Sequence, residues 1–307
     1  MTERAALATR MAGRGGEGAV VPVVTITALI VVIWYLACLP MNADLPQLKD
    51  VQGLGQRYAV AWALERPVLP SPHQVVFELY HSTIGTRLFR QTADGMVLNP
   101  RNLLFHAWVT LSATIVGFLI GALLGIGLAI AIQHSRVLQK SLMPWIIASQ
   151  TIPILAIAPI IIVALGSLGL TGLIPKSVIS AYLSFFPITI GMVKGLSSAD
   201  AMQLDLMRTY NASRPVTFTK LRWPAALPFL FASLKVSISI SLVGAIVGEL
   251  PTGAQAGLGA RLLSGSYYGQ TVQIWSALFM AAILAALLLA LVSLAERLTL
   301  KAMGGRG

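Results

Sequence analysis

Charge is what this sequence has least of. Only 11% of its 307 residues are Asp, Glu, Lys or Arg, against roughly 25% in soluble globular proteins. With 56% hydrophobic residues and a mean hydropathy of +0.78, the chain belongs in lipid. Cysteine is nearly absent: Cys38 stands alone inside an apolar run, so no intrachain disulfide can form. His73, His81, His106 and His134 are scattered, and there is no HExxH or Cys/His cluster, so no metal and no cofactor is expected. A nucleotide-binding loop is missing too. The nearest lookalike, GSLGLTGLIPKS, has Pro175 where the glycine before the lysine should stand. No polar machinery for an intramembrane enzyme is visible. Apart from groups at span edges, Lys235 is the one ionisable residue inside a span, and its long stem can carry the charge toward water. A proton- or sodium-driven carrier would need more, so the energy for any transport must come from elsewhere.

What the chain has is apolar length. Six runs, near 20–40, 104–132, 144–166, 174–196, 227–250 and 272–296, reach the ~20 residues needed to cross a bilayer. The first follows Arg4, Arg10 and Arg14, but it is too long for a cleaved signal and lacks a small-x-small site, so it reads as an uncleaved anchor. The formal net charge of +11 is distributed by topology. With the N-terminus inside, Arg136, Lys140, Lys194, Arg208, Arg214, Lys220, Arg222, Arg297 and Lys301 all face the cytoplasm, and the short outer loops carry only Lys176 and Arg261. That is the positive-inside pattern, not a nucleic-acid footprint. Residues 1–19 read as a disordered tail. Residues 41–102 form an outer loop too long to be a simple connector, with a short helix opened by Ser71 or Pro72.

Three spans carry more than hydrophobicity. In the second, Ala113, Gly117, Gly121, Gly125 and Ala129 recur every fourth residue, a stripe that lets another helix approach closely. The third contains Pro144, Pro153 and Pro159, each of which removes a backbone donor. Irregular backbone at membrane depth survives only where protein or a water-filled cavity satisfies it. Ser149, Gln150 and Thr151, just before Pro153, either line such a cavity or repair the broken helix. In the fifth, Ser233, Ser237 and Ser241 share one face and either bond back to the preceding turn or form a pore-facing stripe.

The segment DAMQLDLMRTYNASRPVTFTKLRWPAALP, residues 200–228, is polar and basic between two spans. Asp200 can cap a helix to about Tyr210, Asn211 suits a left-handed turn, and Ser213 can cap a second helix with Pro215 in its first turn. Pro224 and Pro228 then end the loop and open the fifth span. A rigid, L-shaped cytoplasmic element is something a soluble partner can push against.

This segment resembles the cytoplasmic EAA loop of ABC importer permeases: EAA, three residues, Gly, nine residues, Ile-x-Leu-Pro. Here the triplet is Asp205-Leu206-Met207, the glycine position is Asn211, the isoleucine position is Leu221, and Leu-Pro becomes Trp223-Pro224. The spacing matches throughout, while the triplet, the glycine and the Leu of Leu-Pro differ. Over 69–300, LPSP, GFLIGALLG, TIPILAIAP, FFPITIGMVKG, WPAALP, GLGARLL and LAERL, in that order, are similar to the nitrate/sulfonate/taurine-type permeases.

The resemblance implies an all-α integral membrane protein of the bacterial inner membrane, with six transmembrane helices and a cytoplasmic coupling-helix loop. Its parts would be a 1–19 cytoplasmic tail, a 20–40 anchor, a 41–102 extracytoplasmic loop, a 103–300 permease core and a 301–307 cytoplasmic tail. It implies cytoplasmic ABC ATPase subunits that supply the hydrolysis, an extracytoplasmic solute-binding protein, and a second permease copy or paralogue in the lipid bilayer. By that resemblance Asp205, Leu206, Met207, Arg208, Asn211, Ala212, Phe218, Leu221 and Pro224 dock on the ATPase. The solutes implied are nitrate, sulfonates, bicarbonate-like anions, and pyrimidine or vitamin precursors, the last also resembled by SQTIPILAIAP. An ion-independent channel or secondary carrier would share the spans but has no use for the coupling-loop spacing. A membrane-anchored scaffold would share the loop but not the proline-broken spans.

Overall fold

The computed structural model describes residues 20–92, 95–251 and 256–303; the expected 1–19 tail and most of the expected 301–307 tail lie outside them. Among the described residues the architecture is helical, with one short hairpin. In order come α1 (Val20–Asn42), α2 (Pro46–Lys49), α3 (Leu54–Ala63), α4 (Pro72–Tyr80) running into a π turn (His81–Gly85), and strands β1 (Phe89–Thr92) and β2 (Gly95–Leu98). There follow α5 (Leu103–His134), α6 (Arg136–Ser149), α7 (Ile154–Ser167), α8 (Leu173–Leu196), α9 (Ala201–Thr209) and α10 (Arg214–Thr217). A second π turn (Phe218–Arg222), α11 (Trp223–Gly248), α12 (Leu258–Tyr267) and α13 (Thr271–Ala302) complete the chain.

Five helices are long and apolar enough to span a membrane, and α6 with α7 makes a sixth span only as a pair bent by 99°. The third span is therefore not one helix crossing at 144–166. The break falls before Pro153, which has no N–H to continue the ladder and becomes the N-cap of α7. Pro144 and Pro159 are accommodated inside their helices. The fifth span also begins earlier than Pro224: helix is continuous from Arg214 to Gly248 through the π turn. Pro224 falls within the first two positions of α11, where a missing donor is tolerated.

The centre of the bundle is α5 and α11 packed on α8. Close approach is built into the sequence: a Cβ on Gly117 would lie 2.4 Å from the Ser180 Cβ, and one on Gly125 2.8 Å from the Phe185 carbonyl. At one end of the bundle, the described residues of 41–102 form a cap held by buried asparagines. Asn42 accepts from the Val68 and Leu69 amides and donates to the Cys38 and Leu69 carbonyls. Asn102 caps α5 through the Leu104 amide and donates to the Thr83 and Thr86 carbonyls. Helix α4 opens with Ser71, whose amide donates to the Gln74 side chain at 3.0 Å. Helix α1 is peripheral and meets α13 through Trp34, which stacks on Phe279 at 5.9 Å between ring centroids. At the opposite end lie α9, α10 and the second π turn.

Candidate functional site

Two places bring together residues singled out in the sequence. The first is the α6–α7 break. A cleft of about 330 Å³ opens there, lined by Ser149, Gln150 and Ile152 from the break, Tyr182, Leu183, Phe186 and Pro187 from α8, and Val236 and Ile240 from α11. The backbone freed by the break is partly repaired: the Tyr182 hydroxyl donates to the Ser149 carbonyl at 2.7 Å, and the Thr151 hydroxyl to that of Ala148 at 2.7 Å. Ser149 itself donates to Ile146. Gln150 is exposed; its backbone N–H donates to the Ala148 carbonyl, while its side-chain amide has no hydrogen-bond partner among the described residues. Thr151 is spent on its own turn and does not line the cleft.

The serine stripe is elsewhere. Ser233, Ser237 and Ser241 are buried, and none of them lines this cleft; Ser241 lies against α5 and α8 and Ser233 against Gly191 of α8. Ser241 donates to the Thr114 carbonyl at 3.1 Å and shares a 2.7 Å hydroxyl contact with Ser180, which reaches the Ser241 carbonyl at 2.6 Å. Ser233 bonds back to Leu230 and fills the space over Gly191, where a Cβ would come within 2.5 Å of its own. The Ser237 hydroxyl is buried without a partner among the described residues. Gly117, Gly121 and Gly125 lie in the same seam, on the α5 side.

The second place is the 200–224 loop. Asp200 caps α9 through the Met202 amide, and Asp205 pairs with Arg208 at 2.8 Å on the exposed surface. Helix α9 ends in a Schellman motif: Ala212 N–H donates to the Met207 carbonyl and Asn211 N–H to that of Arg208, both at 2.9 Å. Asn211 has φ 49°, the one non-glycine residue with positive φ among those described. Phe218 and Trp223 pack together and into the α8–α11 core, while Leu221 and Pro224 are half-buried. Arg222 donates to the Leu196 carbonyl, and Ser198 to that of Ala225, which ties the loop to the end of α8. Of the triplet, Asp205 and Leu206 are exposed and Met207 is half-buried. Met202, Leu206 and Tyr210, at helical four-residue spacing, expose 78%, 54% and 76% of their surfaces as one apolar stripe on a polar loop.

Sequence reading missed a third feature. Lys176, counted above as an outer-loop charge, is buried in the first turn of α8, and its Nζ lies 3.3 Å from Glu249, which is wholly buried at the end of α11. The Glu249 carboxylate also accepts from the Thr110 hydroxyl at 2.8 Å and the Gly259 amide at 2.9 Å. Thr110 accepts from the Leu258 amide, His106 Nδ1 from the Gly257 amide, and Lys176 donates to the Ala256 carbonyl. Gly257, at φ 126°, permits this closure, because a Cβ there would fall 2.1 Å from the Glu249 carboxyl carbon. A charge at a span edge is a signal that a partner exists, since burying it alone is costly. Nearby, outside the spans, burial raises the Glu78 carboxyl above its ordinary range, against the pull of Arg261 and His81. Lys235, half-buried, pairs with Glu296 of α13.

Comparison with known proteins gives a consistent picture. Residues 105–303 match the family described as binding-protein-dependent transport system inner membrane component. A probable ABC transporter permease protein of Haemophilus influenzae is 34% identical over 56% of this chain and 69% of its own length. The formylaminopyrimidine transport permease protein ThiX of Halalkalibacterium halodurans is 30% identical over 62% and 68%. The putative aliphatic sulfonates transport permease protein SsuC of Bacillus subtilis is 26% identical over 76% and 78%. Among solved structures, a chain of the MetNI methionine ABC transporter in an inward-facing conformation superposes with TM-score 0.55 and 18% identity, over 64% of this chain and 94% of that one, a likeness of fold.

Proposed function

Because the chain belongs to the family of binding-protein-dependent transport system inner membrane components, we propose that this multi-pass permease forms the solute path of an ATP-driven importer and transmits the ATPase cycle to it through residues 200–224. One observation carries the coupling half of this reading: the exposed apolar stripe of Met202, Leu206 and Tyr210 on a helix that otherwise faces water. Such a patch on a polar surface marks a protein contact. Helix α10 and the π turn lead without a break into α11, whose Val236 and Ile240 wall the cleft, so a push on the loop reaches the cleft through one continuous helix.

In this reading the loop and both termini are cytoplasmic, in line with the basic residues at that end. Residues 41–102 face outward, toward a solute-binding protein, and a second permease copy or paralogue closes the open side of the cleft. The solute is a small anion or heterocycle, the two chemistries named for the relatives above.

The test is purification of the tagged permease with its ABC ATPase, for wild type, Leu206→Asp and Tyr210→Ser. Both variants change exposed side chains, so the thermal midpoint of the permease should stay within about 2 °C of wild type. ATPase retention should fall at least about tenfold, the scale of losing a buried interface anchor. Full retention by both variants would defeat the docking assignment.

A further inference from the structure

We propose that the cleft at the α6–α7 break is a binding subsite for an uncharged, planar heteroaromatic solute, held between the rings of Tyr182 and Phe186 and read by the Gln150 amide. This deepens the permease reading and rests on it.

The lining chemistry selects against the alternative. Among the described residues, none that lines the cleft is charged. The cation nearest in sequence, Lys235 beside Val236, is committed to Glu296 on α13. A nitrate or sulfonate entering this space would give up its hydration with no cation to replace it, which low-dielectric surroundings penalise heavily. A neutral ring gives up far less.

The same lining offers what a heteroaromatic ring uses. Tyr182 is fixed by its hydroxyl bond to the Ser149 carbonyl, so its ring is a set wall and not a free side chain. Phe186 lies one helical turn further along α8 and contributes a second aromatic surface. Aromatic faces take planar heterocycles of any sequence of ring atoms, because each has a π face to offer. Gln150 supplies both a donor and an acceptor. It is exposed at the break, and its side-chain amide is unpaired among the described residues, so it is free to meet the alternating amino and ring-nitrogen edge of such a ring. The volume, about 330 Å³, lies at the lower end of small-molecule sites, which run from about 300 to 1,000 Å³. It suits one ring or two fused rings.

The experiment uses the permease–ATPase complex in lipid nanodiscs, with 4-aminopyrimidine and ethanesulfonate as probes and saturation-transfer NMR as the readout. The aminopyrimidine should bind saturably and resist displacement by excess ethanesulfonate. Phe186→Leu, which keeps apolar volume but removes the ring, and Gln150→Leu should each weaken it about tenfold or more, the scale of one stacking or hydrogen-bonding contact. Gln150→Arg should reverse the preference toward ethanesulfonate. Gln150 is exposed, so its variants keep the test valid even if Phe186→Leu misfolds. Absence of saturable aminopyrimidine binding, equal or tighter binding of ethanesulfonate by wild type, or wild-type affinity in both leucine variants would each overturn the proposal. ATPase retention in the wild-type sample reports separately on the permease reading, which survives any of those results if the ATPase stays bound.

Discussion

Lys176 and Glu249, 73 residues apart in sequence, meet 3.3 Å apart in a place where neither touches water appreciably. The pair joins the start of α8 to the end of α11, and through Thr110, Gly257 and Gly259 it also fixes α5 and the first turn of α12. Removing one partner leaves a buried charge uncompensated, a cost of about 3–5 kcal/mol, whereas replacing both with apolar groups is often near neutral. Lys176→Met and Glu249→Leu should therefore each lower the thermal midpoint in detergent sharply, and the double variant should recover most of the loss. A double variant as unstable as the sum of the singles would show that the two side chains act independently.

Gly121 has no room for any side chain. A Cβ there would lie 2.1 Å from the Ser184 hydroxyl and 2.9 Å from the Ala181 carbonyl. The hydroxyl can swing away, but the carbonyl belongs to the α8 backbone. Gly121→Leu must separate α5 from α8 and give up their close contacts, at about 1–3 kcal/mol for overpacking. Recovery of folded protein from membranes should drop, with a lower midpoint in what remains. An unchanged midpoint would mean that α5 and α8 can part without loss.

How far the sequence reaches depends on whether a property is local. The four-residue recurrence of Gly117, Gly121 and Gly125 is local, and so is the punctuation of the loop by Asp200 and Asn211; Ser213 stands at the N-cap of α10 as expected, but its side chain makes no capping bond. Pro153 marks a break in the third span, but its depth, a 99° bend, depends on what α8 and α11 offer across the cleft. Pro144 and Pro159 read the same way in sequence and break nothing. Ser233, Ser237 and Ser241 show their shared face through spacing, but spacing does not say whether that face meets a cavity or another helix. Lys176 shows in the sequence only as a short outer-loop charge, because its partnership with Glu249 is made by tertiary packing. The π turn at Phe218–Arg222 has no sequence signature, which is why the loop reads as ending at Pro224 when the helix runs on.

Glu78 offers a pH test at the hairpin end. Burial raises its carboxyl pKa above the unfolded value, so folding is penalised where the group is ionised. The penalty is absent below the ordinary carboxylate pKa, grows as pH rises through the raised folded value, and is complete above it. Glu78→Gln should therefore raise the thermal midpoint at neutral and alkaline pH, with the gain shrinking to nothing in acid. A gain that persists unchanged in acid would trace to some other cause.

The sharpest test of coupling lies at Asn211. Its φ of 49° closes the Schellman motif that sets the angle between α9 and the helix beginning at Arg214. A left-handed residue costs an L-amino acid roughly 1–2 kcal/mol, least for Asn and Gly and most for a β-branched side chain. Asn211→Gly should be neutral or nearly so, because glycine reaches this conformation freely. Asn211→Val should instead open the turn and tilt the stripe of Met202, Leu206 and Tyr210 away from its present direction. The site is in the polar loop, so the packing of α5, α8 and α11 should survive, with thermal midpoints of both variants close to wild type. Reconstituted complexes would then separate the effects: ligand-stimulated ATP hydrolysis and uptake should fall at least about tenfold for the valine variant, the equivalent of that strain, and hold for the glycine variant. Wild-type uptake by Asn211→Val, with its ATPase retained, would show that the turn does not set the coupling angle. Equal loss in both variants would assign the effect to the Asn side chain as a direct contact and not to the backbone it permits.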